Sequence, residues 1–465
     1  MSVTESSPAV EQAVEPPARS LRARFIRGSL FEVGSHGAGL VLRMVSSVVL
    51  TRLLFPAAFG LSTMVSTVAA GLVMLSDVAV QPCVIQSKRG DEPAFLNTAF
   101  TIQAIRGVIL GLVMIALAWP ASWFWREPDL RFLISLASLQ LFVMGLHSTS
   151  LFTMRRRLSL GMINALDFGQ TLVTIVVTIS LARTYRSAWV LVAGNIVANT
   201  CYVIATHLLP VGYRNRFHWD PEAAAEIKRF GRWVIGSSAT AFVGNQADRV
   251  FYGRFLGASW LGVYGIAVNL AESASLFVVR LMNGVLYPAL THAARQPDVN
   301  ISKFFYRVRL RLDPLAMGGM GLLGGAGGWL IHTLWDPRYA AAASLLGVVC
   351  VRMAVTFLET PTETCLFALG HTKYGFVRSI TRLAGVIIFI PVGYKVGGVM
   401  GAIWGSVVAE VPTLLAVWPK SRALGILRLN REMLAVLIFC AAFAAGWALL
   451  PWLPVVHRHH HAAAM

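Results

Sequence analysis

Asn-Gln-Ala-Asp-Arg-Val-Phe-Tyr-Gly-Arg-Phe-Leu-Gly-Ala-Ser-Trp-Leu-Gly, residues 245–262, closes one long apolar segment and opens the next. The first segment runs from about Gly231 to Leu256 and the second from about Trp260 to Leu286. Each exceeds the roughly 20 apolar residues that cross a bilayer as a helix. Only Gly257, Ala258 and Ser259 lie between them, so the pair reads as a tight helical hairpin. The chain has already made this hairpin once. Shifted by 202 positions, residues 33–72 align with 235–274 without a gap. Eight pairs are identical: Gly34 with Gly236, Ser35 with Ser237, Val41 with Val243, Val48 with Val250, Arg52 with Arg254, Leu54 with Leu256, Gly60 with Gly262, and Ala69 with Ala271. A direct repeat of this length in a membrane chain points to two homologous bundles facing one another, parallel rather than inverted.

Composition agrees with a membrane protein. Hydrophobic residues make up 56% of the 465 and charged residues 13%, with a mean hydropathy of +0.64. So few charges cannot cover a soluble surface of this size. The net charge of +18 does not indicate nucleic acid, because lysines and arginines sit between apolar spans, as anchors do. Five cysteines lie in or at the ends of apolar spans without metal-ligand spacing, and no P-loop is present, so neither a cofactor nor direct ATP drive is expected. The terminal cluster His457-Arg458-His459-His460-His461 lacks further ligands to make a metal site.

Thirteen spans are expected, at about 29–54, 57–82, 95–118, 131–153, 162–182, 187–209, 231–256, 260–286, 310–334, 341–368, 376–394, 399–418 and 433–453. The expected fold class is an all-α polytopic membrane protein: two homologous six-helix bundles around a central cleft, plus one extra C-terminal helix. The division reads as a disordered basic cytoplasmic tail (1–28), a first bundle (29–209), a cytoplasmic linker (210–230), a second bundle (231–418), and an extra helix with its tail (419–465). Of the 40 lysines and arginines, only nine fall in segments on the side opposite the N-terminus and five inside spans. The excess of positive charge on cytoplasmic loops therefore places the N-terminus in the cytoplasm. In the linker, Asp220-Pro221 begins a capped short helix expected on the membrane surface, and residues 303–312 alternate basic and apolar groups suited to anionic headgroups.

Ala-Asp-Arg-Val-Phe-Tyr-Gly-Arg-Phe-Leu-Gly-Ala-Ser-Trp-Leu-Gly-Val-Tyr-Gly-Ile-Ala (247–267) resembles the second-half signature of bacterial polysaccharide transporters. These are the Wzx-like oligosaccharide flippases of the multidrug/oligosaccharidyl-lipid/polysaccharide exporter superfamily. The first half is similar at Thr-Arg-Leu-Leu-Phe-Pro-Ala-Ala-Phe-Gly (51–60), Leu-Ser-Asp (75–77), Val-Ile-Gln (84–86), Leu-Asn-Thr-Ala-Phe (96–100) and Arg-Arg-Arg-Leu (155–158). The resemblance covers about residues 28–420. It implies a flippase, not an enzyme, that moves polyprenyl-diphosphate-linked oligosaccharide across a cell inner membrane for exopolysaccharide, capsule or O-antigen synthesis. Proton or sodium coupling, membrane lipids and a polysaccharide polymerase complex are the partners it suggests; nucleic acid is not. A multidrug antiporter of the same superfamily would share the fold, but several cavity arginines should repel organic cations. A peptidoglycan-precursor flippase would use the same chemistry on another sugar. A polymerase or ligase should carry a large outer loop, whereas the longest here is about 119–130.

Charges inside spans cost roughly 2.5–3.5 kcal/mol each on insertion, so each needs a partner, a wet cavity or a function. The arginines are Arg43, Arg106, Arg249, Arg280 and Arg352. Guanidinium stays charged and binds phosphate oxygens bidentately, so these five are the candidate diphosphate ligands, led by Arg43 and Arg249 on the repeat-equivalent spans 1 and 7. The alternative for each is a structural ion pair. Arg52 and Arg254 end their spans at hairpin turns and read as anchors. The acidic residues within spans are Glu32, Asp77, Asp167, Asp248, Glu272, Glu359, Glu363 and Glu410. Glu359, Glu363, Glu272 and Asp248 are the ion-coupling candidates. Arg352, Glu359 and Glu363 share one helix face, and Pro361 should kink that helix. In the opposing reading, Arg352 simply neutralises Glu359. His36 and His147 read as satisfied core histidines.

Overall fold

The computed structural model describes residues 18–76, 79–157, 160–209, 214–281, 286–294, 296, 300–371 and 373–450. Among these the regular structure is helical throughout, as a chain crossing lipid requires when every backbone N–H and C=O must be satisfied within its own segment. The first half contains α1 (Ala18–Leu53), α2 (Pro56–Leu75), α3 (Val80–Gln86), α4 (Pro93–Trp125), α5 (Leu130–Gly145), α6 (Ser150–Arg156), α7 (Leu160–Thr184) and α8 (Trp189–Leu208). The second contains α9 (Pro221–Leu281), α10 (Tyr287–Ala294), α11 (Ile301–Leu334) and α12 (Ala342–Ala368). It ends with α13 (Lys373–Val408), α14 (Val411–Ala423) and α15 (Leu429–Leu449). Eight helices among the described residues are long and apolar enough to cross a membrane, or nine if α5 and α6, bent by 59°, count as one span.

The expected spans fall on helices where they are described, but spans 57–82, 131–153 and 399–418 each cross a break between two helices, and parts of 57–82, 260–286 and 433–453 lie outside the described residues. Spans 7 and 8 are two helices within α9 that meet without a loop, the turn between them made by the single residue Gly257 at φ 81° and ψ 174°. That region of backbone space is open essentially to glycine alone. In the first copy the same turn is made by Phe55, extended at φ −82° and ψ 156°, with Pro56 starting α2. The linker does not form a separate surface helix. Asp220 caps Pro221 through its side chain, accepting from Glu222 N at 2.9 Å, and α9 runs from there straight into span 7. Residues 18–28, expected as disordered tail, belong to α1; residues 1–17 and the histidine tail lie outside the described residues.

The halves join most closely at the end that carries both hairpin turns. Here α2 lies along the first part of α9, with Gly60 against Ala258 and Gly71 against the ring of Phe242. Trp125, closing α4, donates from Nε1 to the Val250 carbonyl at 3.2 Å. Trp335, just past α11, donates to Ser47 Oγ at 3.3 Å, and Tyr339 to the Leu54 carbonyl at 3.0 Å. Arg52 donates to the Leu334 carbonyl at 3.4 Å. One large apolar core runs through these contacts, including Leu54, Met64, Tyr252, Leu261 and Leu346. The packing is not symmetric, however. While α2 follows α9, α1 packs along α7 instead, and among the described residues it meets α9 little.

At the opposite, basic end a second core gathers Val84, Phe95, Leu96, Phe152, Ile163 and Tyr202 with Ala223 and Ile227 from the first turns of α9. Those turns therefore sit against the first bundle. The last helix is no loose appendage either: Gly321 and Gly325 of α11 admit the backbone of α15 at Phe439 and Phe443. Small residues of this kind let membrane helices approach closely.

Candidate functional site

The charges that the spans bury are assembled mainly in the second bundle, and each is neutralised across helices. Asp248 on α9 takes Arg352 of α12 at 2.7 Å and the Tyr264 hydroxyl at 3.0 Å, with all three side chains buried. Arg249, its neighbour, turns its guanidinium to Glu272 at 3.0 Å and to Gln246 at 3.1 Å. Arg382 of α13 lies 2.9 Å from Glu410 and close to Asp248 as well. Arg378 reaches Glu359 at 2.9 Å and Glu363 at 3.4 Å, and Thr413 donates to the other oxygen of Glu359 at 2.8 Å. The Arg378 contact to Glu359 is off-axis for a hydrogen bond, so its attraction is electrostatic.

Three expectations are corrected by this arrangement. Arg352 does not neutralise Glu359: its partner is Asp248, and the partner of Glu359 is Arg378 on the next helix. Helix α12 runs from Ala342 to Ala368 with Pro361 inside it. Arg378 and Arg382, left out of the arginines counted within spans although span 376–394 contains them, are partly buried residues of α13 that face Glu359 and Glu410. Likewise Arg309, placed among headgroup contacts, is fully buried between Asp313 at 3.1 Å and Glu432 of α15, with the Tyr306 hydroxyl also on Glu432. About half a helical turn separates it from Arg307 and Arg311, which with Lys303 share the exposed face of α11.

The first bundle is different. Arg106 is held by the Val73 carbonyl at 2.7 Å and Ser76 Oγ at 3.1 Å. Asp167 accepts from the Tyr202 hydroxyl at 3.0 Å, and the Tyr202 ring abuts His147 at the break between α5 and α6. Arg43 is exposed, and its hydrogen bond is to its own helix, at the Gly39 carbonyl (3.2 Å). Among the described residues no carboxylate pairs with it. It stands ten residues from the hairpin end of α1, about 15 Å at the helical rise, near half the depth of a bilayer core. Asp77 lies outside the described residues, as do the side chains of Arg280, His36 and Glu32.

Helices of this length and hydropathy, paired about two hairpins and burying arginine–carboxylate pairs between them, define a polytopic all-α membrane protein. Its fold is that of known transporters. It matches the lipid II flippase MurJ in an inward closed conformation with a TM-score of 0.65, over 91% of this chain and 98% of that one, at 10% identity. It matches an inward-facing multidrug resistance MATE family transporter of the MOP superfamily with a TM-score of 0.61, over 83% and 95%, at 13% identity. The chain belongs to the polysaccharide biosynthesis protein family, whose pattern matches residues 49–313. Its relatives include the lipopolysaccharide biosynthesis protein WzxC of Escherichia coli K12, 22% identical over 401 residues that cover 84% of this chain and 80% of the relative. The succinoglycan biosynthesis transport protein ExoT of Rhizobium meliloti is 22% identical over 423 residues, 88% and 83%.

Proposed function

We propose that this protein is a flippase that carries polyprenyl-diphosphate-linked oligosaccharide across the cell inner membrane for polysaccharide assembly. Its relatives WzxC and ExoT, named for lipopolysaccharide and succinoglycan synthesis, support that class of cargo. The observation that carries the reading is Arg43. It is a permanent cation at mid-depth, exposed and free of carboxylate among the described residues, on the helix that meets α9 little. A diphosphate crossing a low-dielectric slab needs its hydration replaced by such a group. In this reading the polyprenyl tail stays in lipid beside α1 while the charged head enters the cleft.

In this reading the bundles 29–209 and 231–418 rock about their contact at the hairpin end, which faces away from the cytoplasm, with the N-terminus and the basic end inside. Arg249 is the second diphosphate ligand, since Glu272 holds it only at a half-exposed pair. Arg352 and Arg106 act by holding helices together. Glu359 and Glu363, sharing Arg378, are the site where a proton or sodium ion competes with the arginine and drives the cycle; Asp248 and Glu272 set the field around it. A polysaccharide polymerase complex takes the delivered unit.

Arg43→Ala tests the central claim. It should block polymer export with normal protein levels, and Arg43→Lys should restore export only in part, because lysine keeps the charge but loses the fork. Export at the wild-type rate by Arg43→Ala would refute the phosphate role.

A further inference from the structure

Residues 214–220, Arg-Asn-Arg-Phe-His-Trp-Asp, cross the basic end of the first bundle as a non-helical strap. Its backbone is pinned at every second residue. Arg216 N donates to Asn97 Oδ1 at 2.7 Å, His218 N to Thr101 Oγ1 at 3.0 Å, and Asp220 N to Thr98 Oγ1 at 2.9 Å. The Thr101 hydroxyl returns a bond to the His218 carbonyl at 2.9 Å. Asn215 is clamped at the bend between α5 and α6, accepting from Ser148 Oγ at 2.6 Å and donating to Thr149 Oγ1 at 2.5 Å. Arg89 closes the strap on Asp220 at 2.8 Å.

Helix geometry fixes the depth of this strap. Asn97 and Thr101 share a face of α4 with Ile105, Val108 and Leu112, which are about half exposed and so form the lipid-facing stripe. Thr101 precedes Ile105 by four residues, about 6 Å along the axis. On α8 the exposed apolar stripe Val197, Ile204 and Leu208 runs out at the same end. The strap therefore lies where the lipid-facing surface of the first bundle reaches the headgroups. Its polar backbone is spent on the bundle, and Arg214, Arg216, Phe217, His218 and Trp219 are left exposed, Phe217 by 71% and Trp219 by 53%. The acid of the strap, Asp220, is already taken by Arg89, and no carboxylate among the described residues pairs with Arg214 or Arg216. Aromatic rings settle at the water–lipid interface, and free guanidinium groups bind phosphate.

We infer that the strap is a binding surface for anionic phospholipid headgroups, with Arg214 and Arg216 on the phosphate and Phe217 and Trp219 seated in the interfacial layer. Because the strap runs directly into α9, a lipid held there fastens the start of the second bundle to the first. Assignment to the inner leaflet rests on the orientation proposed above; the lipid contact does not, and a measurement in micelles separates the two.

Native mass spectrometry of the intact protein in neutral detergent, with added phosphatidylglycerol, phosphatidylcholine or glycerol phosphate, tests this. Wild type should retain phosphatidylglycerol in preference to phosphatidylcholine, and glycerol phosphate should not displace it. At about five-fold per surface arginine, Arg214→Gln/Arg216→Gln should weaken phosphatidylglycerol retention about 25-fold and leave phosphatidylcholine retention unchanged. Arg214→Lys/Arg216→Lys should keep most of the preference and excludes loss through misfolding. Arg307→Gln/Arg311→Gln on α11 controls for a diffuse basic belt. Equal retention by wild type and the glutamine variant overturns the proposal, as does an equal loss in the α11 variant. Displacement by glycerol phosphate overturns it too, since the site would then read a free phosphate.

Discussion

Gly60 and Gly262 are equivalent positions of the repeat, and each lies under the hairpin of the other half. A Cβ on Gly60 would stand 1.7 Å from the carbonyl oxygen of Ala258, and one on Gly262 2.0 Å from that of Pro56. Ala258 is itself Pro56 displaced by 202 residues. The halves thus meet about a local two-fold axis, through two reciprocal contacts of backbone on backbone.

A methyl group at either glycine meets backbone, which no rotamer change relieves. Gly60→Ala and Gly262→Ala should each lower the stability of the purified protein by about 1–3 kcal/mol, the usual cost of overpacking. Gly39→Ala, whose Cβ would meet only the far end of Arg43 at 3.8 Å, is the control. Thermal midpoints equal to wild type at both positions would show that the hairpin end yields easily.

Removing Glu432 leaves Arg309 buried with Asp313 alone. Glu432→Ala should cost about 3–5 kcal/mol, as expected when one partner of a buried pair is lost. Arg309→Met/Glu432→Leu should recover most of it, because packed apolar groups need no counter-charge. If the double variant is as unstable as the single, the cluster contributes more than charge balance.

If Glu359 carries the driving ion, Glu359→Gln should abolish gradient-driven transport in proteoliposomes while retaining binding of lipid-linked substrate. Equal loss of binding and transport would reduce Glu359 to a counter-charge for Arg378. Transport at the wild-type rate would remove it from the mechanism.

Orientation can be read by thiol labelling in a background with the native cysteines replaced. Cysteine at Arg157, on the basic end, should resist an impermeant reagent in intact cells, and cysteine at the exposed Ser187 should react. The reverse pattern would invert the orientation.

The strap should also answer to acid. Its bond to Arg89, the largest influence, holds the Asp220 carboxyl below the usual carboxylate range. A depressed folded value means that the stabilisation is present above the ordinary aspartate range and is lost as pH falls through that depressed value. Asp220→Asn should mimic the acid state at neutral pH, raising hydrogen exchange at the amides of Arg216 and His218. Unchanged exchange there would show that the strap is held without its charge.

The spans and the hairpins were legible because hydropathy and the rhythm of basic loops are local signals. Gly257 could be read as a turn, and Arg52 as a residue of the hairpin end. The partners of the buried charges could not. Asp248 finds Arg352 and Arg309 finds Glu432 across more than a hundred residues of chain, beyond the reach of an argument about neighbours on one helix face. Arg378 and Arg382 escape the list of arginines within spans for a related reason: at the start of span 376–394 an arginine reads as an anchor. Their spacing of four, which puts both on one face of a helix, is the signal that the sequence carries for them.

The fastening of residues 214–220 has a consequence for how the chain can be divided. A gene cut between Leu209 and Arg214 would yield two polypeptides, the second of which begins with the segment that grips Asn97, Thr98 and Thr101 of the first. Co-expressed fragments should therefore reassemble into a working transporter without a covalent joint, whereas a cut after Pro221 hands that grip to the wrong piece.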